Sequence, residues 1–269
     1  MREARLTILG CGSAKLTKTN RPASQLLDMC DKTFMIDCGE GAQLTMQQLG
    51  VRTARLYNIF ISHLHGDHCL GLIGLLSTLS MLRRTQPMHI YAHSDLEKLM
   101  RPWLDYYCEG CSYEIIFHAI NPRKRETIYE DRTVRVETIP LKHGVPTCGF
   151  LFYETHRVMQ EDGTFAHETR KRYAYCSDTQ YNPKMVEQIE GVDLLYHEST
   201  FLSDMAERSR EFKHSTAREA AEIAKAAQVG QLLLGHFSAR VEDHSLFLEE
   251  AKPVFENSVL AEEKTTITF

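Results

Sequence analysis

At 269 residues, with 43% hydrophobic and 25% charged content, the chain has enough apolar material for a sizeable core and the composition of a globular enzyme. Its net charge of −5 argues against a diffuse polyanion binder, which is usually strongly basic. No apolar run reaches the roughly 18 residues that span a bilayer, and the start MREARLTILGCGSA lacks the basic-then-apolar pattern of a secretory signal, so a cytoplasmic location is expected.

In chain order, RLTILG, TFMIDCG, LYNIFIS, MHIYAH, YEIIFHAI, TVRVETIPL, GFLFYE, YAYCSD, DLLYHES, QLLLGHF and TTITF are β-branched or apolar runs that predict strands. Near-continuous apolar runs such as LYNIFI predict strands covered on both faces. Helices are predicted over 40–49, stopped by Gly50, and over 69–82, whose apolar residues recur at helical spacing. A third is predicted in TAREAAEIAKAAQVG, with Thr216 and Glu219 as a capping box and Gly230 as the stop. The least core-like stretch is 154–172, which reads as a protruding hairpin with EDG as its turn. Without a repeat or a linker, one domain over 1–269 is expected.

Basic runs at 83–84, 123–125 and 170–172 are candidate phosphate contacts, although such a run is ordinarily a solvated face. The eight scattered cysteines read as free thiols in a reducing compartment. Cys108 and Cys111 form a CxxC, but no second ligand pair at matching spacing accompanies it.

The densest chemistry lies in ISHLHGDHCLGL, which places His63, His65, Asp67 and His68 on one short loop. Imidazole nitrogen mixed with carboxylate oxygen suits zinc or another first-row metal. Four such residues exceed what capping a helix needs, and they do not comfortably surround one tetrahedral ion. Two metals, or one metal and a base, follow. The loop comes directly after LYNIFIS, and α/β sites form at the C-terminal ends of strands. Other strand ends carry His143, Asp178, His197 with Glu198, and His236.

The order HLHGDH, KHGVP, SDT, HEST, HST and HFSAR, preceded by LGCGSA and DCGEGAQ, resembles the metallo-β-lactamase superfamily and more closely its ribonuclease Z branch, the tRNA 3′-processing endonucleases. The resemblance implies an α/β (α+β) four-layer αββα sandwich with two zinc ions at one edge, manganese or iron being alternatives. By matching motifs, His63, His65 and His143 would hold one ion, Asp67, His68 and His236 the other, and Asp178 would bridge them. It further implies that Asp67 takes a proton from the attacking water and that His214, oriented by Glu198, protonates the leaving 3′ oxygen. His197 is left to packing. Precursor tRNA is the implied substrate and a homodimer the implied assembly.

Many members of that branch carry a long Gly/Pro-rich arm between the motifs of His143 and Asp178. Here segment 144–177 has room only for the short hairpin. Two alternatives stay open: a phosphodiesterase acting on small or cyclic nucleotides, and a metal-bound protein without catalysis.

Overall fold

Period-two alternation along the predicted strands sorts their side chains onto two faces, and the core follows from that sorting. The computed structural model describes residues 3–160 and 164–269. One sheet contains β1 (Arg5–Gly10), β2 (Ser24–Met29), β3 (Lys32–Cys38), β4 (Leu56–Phe60), β5 (Met88–His93) and β6 (Ile115–Ile120). The other contains β7 (Thr127–Glu130), β8 (Val134–Pro140), β9 (Cys148–Met159), β10 (Phe165–Cys176), β11 (Leu194–Glu198), β12 (Gln231–Gly235) and β13 (Ser258–Leu260), while β14 (Thr266–Thr268) returns to the first. The orders are β14-β1-β2-β3-β4-β5-β6 and β13-β12-β11-β10-β9-β8-β7.

The layers follow from the alternation. Leu27, Phe34, Ile36 and Phe60 share a core with Val136, Phe150, Phe152, Tyr173 and Tyr175 of the second sheet, so these faces meet. Leu26, Met35, Ile59 and Ile61, the intervening residues, instead meet helices α1 (Ala42–Gln48), α3 (Leu72–Met81) and α4 (Asp95–Tyr107). On the far side, α5 (Val186–Ile189), α7 (Ala217–Ala226) and α8 (Ser245–Ala251) cover the second sheet through Ile189, Ala220, Ala224 and Phe247. The result is the expected αββα sandwich. Phe152 contacts both Phe34 and Phe60 at ring separations of 5.6 Å across the sheet interface, and truncating it to Ala would cost about 3–5 kcal/mol.

Several elements differ from expectation for visible reasons. The helix expected over 69–82 is two pieces, α2 (Gly66–Cys69) and α3. At the break, the Gly71 N–H donates to Cys38 O at 2.9 Å, and a Cβ on Gly71 would lie 2.2 Å from Gly39 O. The metal-type loop is thus clamped onto DCGEG by two glycines. The capping box of α7 forms as read, but the helix stops at Ala226, and Gly230 instead permits a close approach to Asp193 O. Strands β2, β7 and β13 and helices α4, α5, α6 (Ala206–Phe212) and α8 are additional to those read from the sequence. Helix α4 contains Pro102, a helix breaker, but buries Leu96, Met100 and Leu104 along one face.

The polar segment is a hairpin, β9 pairing antiparallel with β10 from Met159↔Phe165 inward. The EDG turn itself lies outside the described residues. The run 170–172 is not an open phosphate contact. Arg170 is tied to Asp193, Lys171 donates to Glu190 O, and Arg172, 3% exposed, pairs with Asp193 and Glu154.

Strands β10 to β13 run parallel, as do β3 to β6, which gathers their C-terminal ends at the edges of the sheets. A bridge between Gly12 and Phe237 joins the edges. Among the described residues, no helix is long and apolar enough to cross a membrane.

Candidate metal centre

Strand ends deliver the site. His63 to His68 follow β4, His143 follows β8, Asp178 follows β10, Glu198 closes β11 and His236 follows β12. The structure brings all seven residues expected as ligands into two adjoining groups, His63, His65, His143 and Asp178 on one side and Asp67, His68 and His236 on the other.

Asp178 faces both groups with different oxygens. Its Oδ2 lies 3.5 Å from Nε2 of His63 and 3.5 Å from Nε2 of His143, whereas Oδ1 lies 3.2 Å from Nε2 of His68 and 3.0 Å from Nε2 of His236. Asp67 Oδ2 lies 3.6 Å from His68 Nε2 and 3.5 Å from His236 Nε2. Asp178 and His236 hold left-handed backbones, φ 57° and 60°, a conformation that costs non-glycine residues on the order of 1 kcal/mol or more and is tolerated where a side chain must be aimed.

Two buried carboxylates aim the imidazoles. Asp37 Oδ2 accepts from His68 Nδ1 at 2.7 Å, from the Ser62 hydroxyl at 2.8 Å and from the Tyr175 hydroxyl at 2.6 Å. Ser62 Oγ, having given its proton to Asp37, accepts from His63 Nδ1 at 3.1 Å. Glu198 repeats the pattern. It accepts from His214 Nδ1 at 2.9 Å and from the Thr200 hydroxyl at 2.6 Å, and Thr200 Oγ1 accepts from His236 Nδ1 at 3.0 Å. His143 Nδ1 donates to Lys213 O at 3.1 Å. With Nδ1 committed as donor, Nε2 of His63, His68, His143 and His236 turns inward as a lone-pair nitrogen, and His65 presents Nδ1 instead, 3.3 Å from His143 Nε2.

The donor set fits divalent metal. Buried Nε2 atoms of His63, His68 and His236 lack a hydrogen-bond partner among the described residues, a cost of about 1–3 kcal/mol each that coordination would remove. The electrostatics agree. Burial acts against charge on His68, yet Asp178 and Asp37 outweigh it and raise its pKa well above the ordinary value. Burial likewise opposes ionised Asp178, but His236, His68 and His63 hold it well below the carboxylate range. Positive charge is thus favoured beside the carboxylates, while burial and the neighbouring His68 hold His63 well below the ordinary imidazole range.

Beside the cluster is a cavity of about 500 Å³, whose lining includes Ser13, Gly66, Asp67, His143, Lys213 and His214. The Ala14 N–H donates to Asp67 Oδ2 at 2.8 Å, which gives LGCGSA a part in the site. Burial opposes ionisation of Asp67, but contacts with His236 and His68 hold it well below the carboxylate range. Burial lowers the His214 pKa, but Glu198 outweighs it and carries it up to about 9. Glu198 is fully buried. His197 is also buried, belongs to none of the ligand groups and contacts Glu198 O through Nδ1. Cys108 and Cys111 join no metal group among the described residues. Asp37, Ser62, Thr200 and Tyr175 are the residues that sequence reasoning missed. The only signal for Asp37 was its place in DCGEGAQ.

A family model described as Anti-Pycsar protein Apyc1 matches residues 4–252. The ribonuclease Z of Phocaeicola vulgatus is 45% identical, covering 100% of this chain and 98% of the relative. The ribonuclease Z of Parabacteroides distasonis is 46% identical over 96% of each chain. Among solved structures, the short form of human tRNase Z matches with a TM-score of 0.80 and 26% identity, covering 98% of both chains. The Phocaeicola alignment extends over 303 residues against a chain of 269, so the relative carries residues without a counterpart here.

Proposed function

From the premise that this chain belongs to the ribonuclease Z family of metallo-β-lactamase-fold hydrolases, we propose that it is a divalent-metal-dependent endonuclease that removes 3′ trailers from precursor tRNA. The observation that carries the reading is Asp178, its two oxygens shared between two groups of inward-turned imidazoles.

In this reading two zinc ions would be held per chain, one by His63, His65 and His143, the other by Asp67, His68 and His236, with Asp178 available to both groups. Mixed nitrogen and oxygen donors also accept manganese or iron. When bound, the metals supply an acidified water and positive charge opposite the phosphodiester oxygens. The protein does the rest. Asp67, kept ionised and held by Ala14 N–H, accepts the proton of the attacking water. His214, with Nδ1 held by Glu198, donates from Nε2 to the leaving 3′ oxygen, and Glu198 supports the imidazolium until then. Asp37 and Glu198, directly and through Ser62 and Thr200, keep four imidazoles from rotating.

A single domain over 1–269, a homodimeric assembly and a cytoplasmic location complete the proposal. The shared core of the two sheets supports the first, and eight unpaired cysteines are in keeping with the last. Sedimentation analysis checks the dimer.

Metal-loaded protein incubated with a trailer-bearing precursor tRNA should leave a mature-length product ending in a 3′ hydroxyl. An intact transcript at high enzyme, with metal confirmed bound, overturns the proposal. The short hairpin with its neutralised 170–172 run favours a second reading, hydrolysis of small or cyclic phosphodiesters, which predicts turnover of small diesters and no tRNA cleavage.

A further inference from the structure

A second cavity, about 290 Å³, adjoins the metal-type cavity and shares His143, Gly144 and Lys213 with it. Its walls carry Arg123, Lys142 and Lys213, and among the described residues no carboxylate lines it. None of these three cations forms an ion pair among the described residues, although the chain as a whole has a net charge of −5. Most of the other basic runs are engaged. Arg125 pairs with Glu137, Arg170 and Arg172 pair with Asp193, and Arg84 is folded onto the carbonyls of Leu56 and Gln86.

Three cations left open in one concavity mark an anion site. Their backbones are fixed. Lys213 lies in the left-handed region at φ 59°, with its carbonyl on His143 Nδ1, and Lys142 is pinned between Thr179 Oγ1 and the Gln180 N–H. The cradle's position relative to the chemistry gives its direction. In an in-line displacement the attacking water and the leaving oxygen lie on opposite sides of phosphorus. Asp67 groups with His68 and His236, neither of which lines the cradle, whereas the His214 ring lies 5.0 Å from that of His143, which the cradle shares, and His214 follows Lys213 in the chain.

We infer that Arg123, Lys142 and Lys213 bind the backbone phosphate immediately 5′ of the scissile one, on the leaving-group side. This rests on the reading of the chain as an RNA-cleaving enzyme with His214 as the acid. The cradle fixes the strand that departs with the 3′ hydroxyl and contributes affinity that the shortened hairpin does not.

The test is equilibrium binding of trailer-bearing precursor tRNA to the metal-loaded protein across salt concentrations. Wild type is compared with the triple variant Arg123→Gln/Lys142→Gln/Lys213→Gln and with an equally charge-reduced control, Arg5→Gln/Lys225→Gln/Lys252→Gln. Metal content and thermal midpoint are matched beforehand. The cradle variant should bind tenfold or more weakly at physiological salt and show a salt slope shallower by about 1, while the control tracks wild type. An RNA bearing a methylphosphonate in place of the phosphate 5′ of the cut should bind wild type more weakly and the cradle variant no worse than unmodified RNA. A methylphosphonate on the 3′ side should weaken both equally.

Cradle binding equal to the control, or sensitivity to the 5′ methylphosphonate that persists in the variant, overturns the inference. Failure of the wild type to cleave the transcript overturns the proposed function instead, because the salt slopes still decide whether the cradle holds RNA phosphate. Absence of salt-dependent RNA binding by the wild type overturns both.

Discussion

The middle of β10 and the residues just past its end treat charge in opposite ways. In the hairpin half, Arg170 and Arg172 close on Asp193, Arg172 reaches Glu154 and donates to Phe269 O at 2.6 Å, and Lys171 is used on Glu190 O. Beyond the strand's C-terminal end, Asp178 meets four imidazole Nε2 atoms at 3.0–3.5 Å, three of which are buried without a hydrogen-bond partner among the described residues. The first arrangement is electrostatically closed and stabilises the fold. The second converges imidazole nitrogens and carboxylate oxygens on one place, a donor set that a divalent cation would complete.

Four substitutions sharpen or break that contrast. The largest effect is expected at the open end. Asp178→Ala removes the group shared by both halves, so phosphodiester cleavage should fall on the order of 10⁴-fold while metal content drops, read by kinetics and elemental analysis on the same sample. Retained activity with full metal content would erase the distinction between the ends.

Asp37→Asn keeps the shape but removes the charge that anchors His68 and, through Ser62, His63. Metal affinity should weaken about 10–100-fold, measured by competition with a chromophoric chelator. If affinity is unchanged, the buried carboxylate is only packing.

The pH profile tests the acid. His214 has a raised pKa of about 9, so its proton is held below that value and lost above it, and cleavage should decline on the alkaline side. Glu198→Gln removes the carboxylate that raises the pKa, and the alkaline limb should move to lower pH. An unmoved limb would detach Glu198 from proton donation.

The smallest catalytic effect belongs to the closed end. Arg172→Met strips Asp193 of one of its two guanidinium partners and should cost about 3 kcal/mol of stability in urea unfolding. The folded fraction should still bind metal as the wild type does.

How much of this is legible in the sequence varies with the kind of signal. HLHGDH is legible because ligand chemistry is concentrated in six residues, and His143, Asp178 and His236 because each follows an apolar run. Asp37 is not, since one acid near the end of the strand run TFMIDCG carries no sign of its role until its pairing with Ser62, Tyr175 and His68 is seen. Strand β2 escapes notice because its Ser24 and Gln25 are polar yet buried, Ser24 donating to Asp37 O and Gln25 accepting from Tyr173. The two Arg-Lys-Arg runs are identical as letters. Only the fold, by placing Asp193 beside one and the cavity wall beside the other, separates the closed run from the one that keeps Arg123 open.

The central claim, that Asp178 divides a cage for two cations, is tested most directly by titrating metal into chelator-stripped protein while following bound ions by native mass spectrometry and cleavage by initial rate. Activity should rise to its plateau with two divalent ions per chain, and Asp178→Ala should bind fewer and stay inactive. Full activity at one ion per chain, or in excess chelator with no ion bound, would contradict the account.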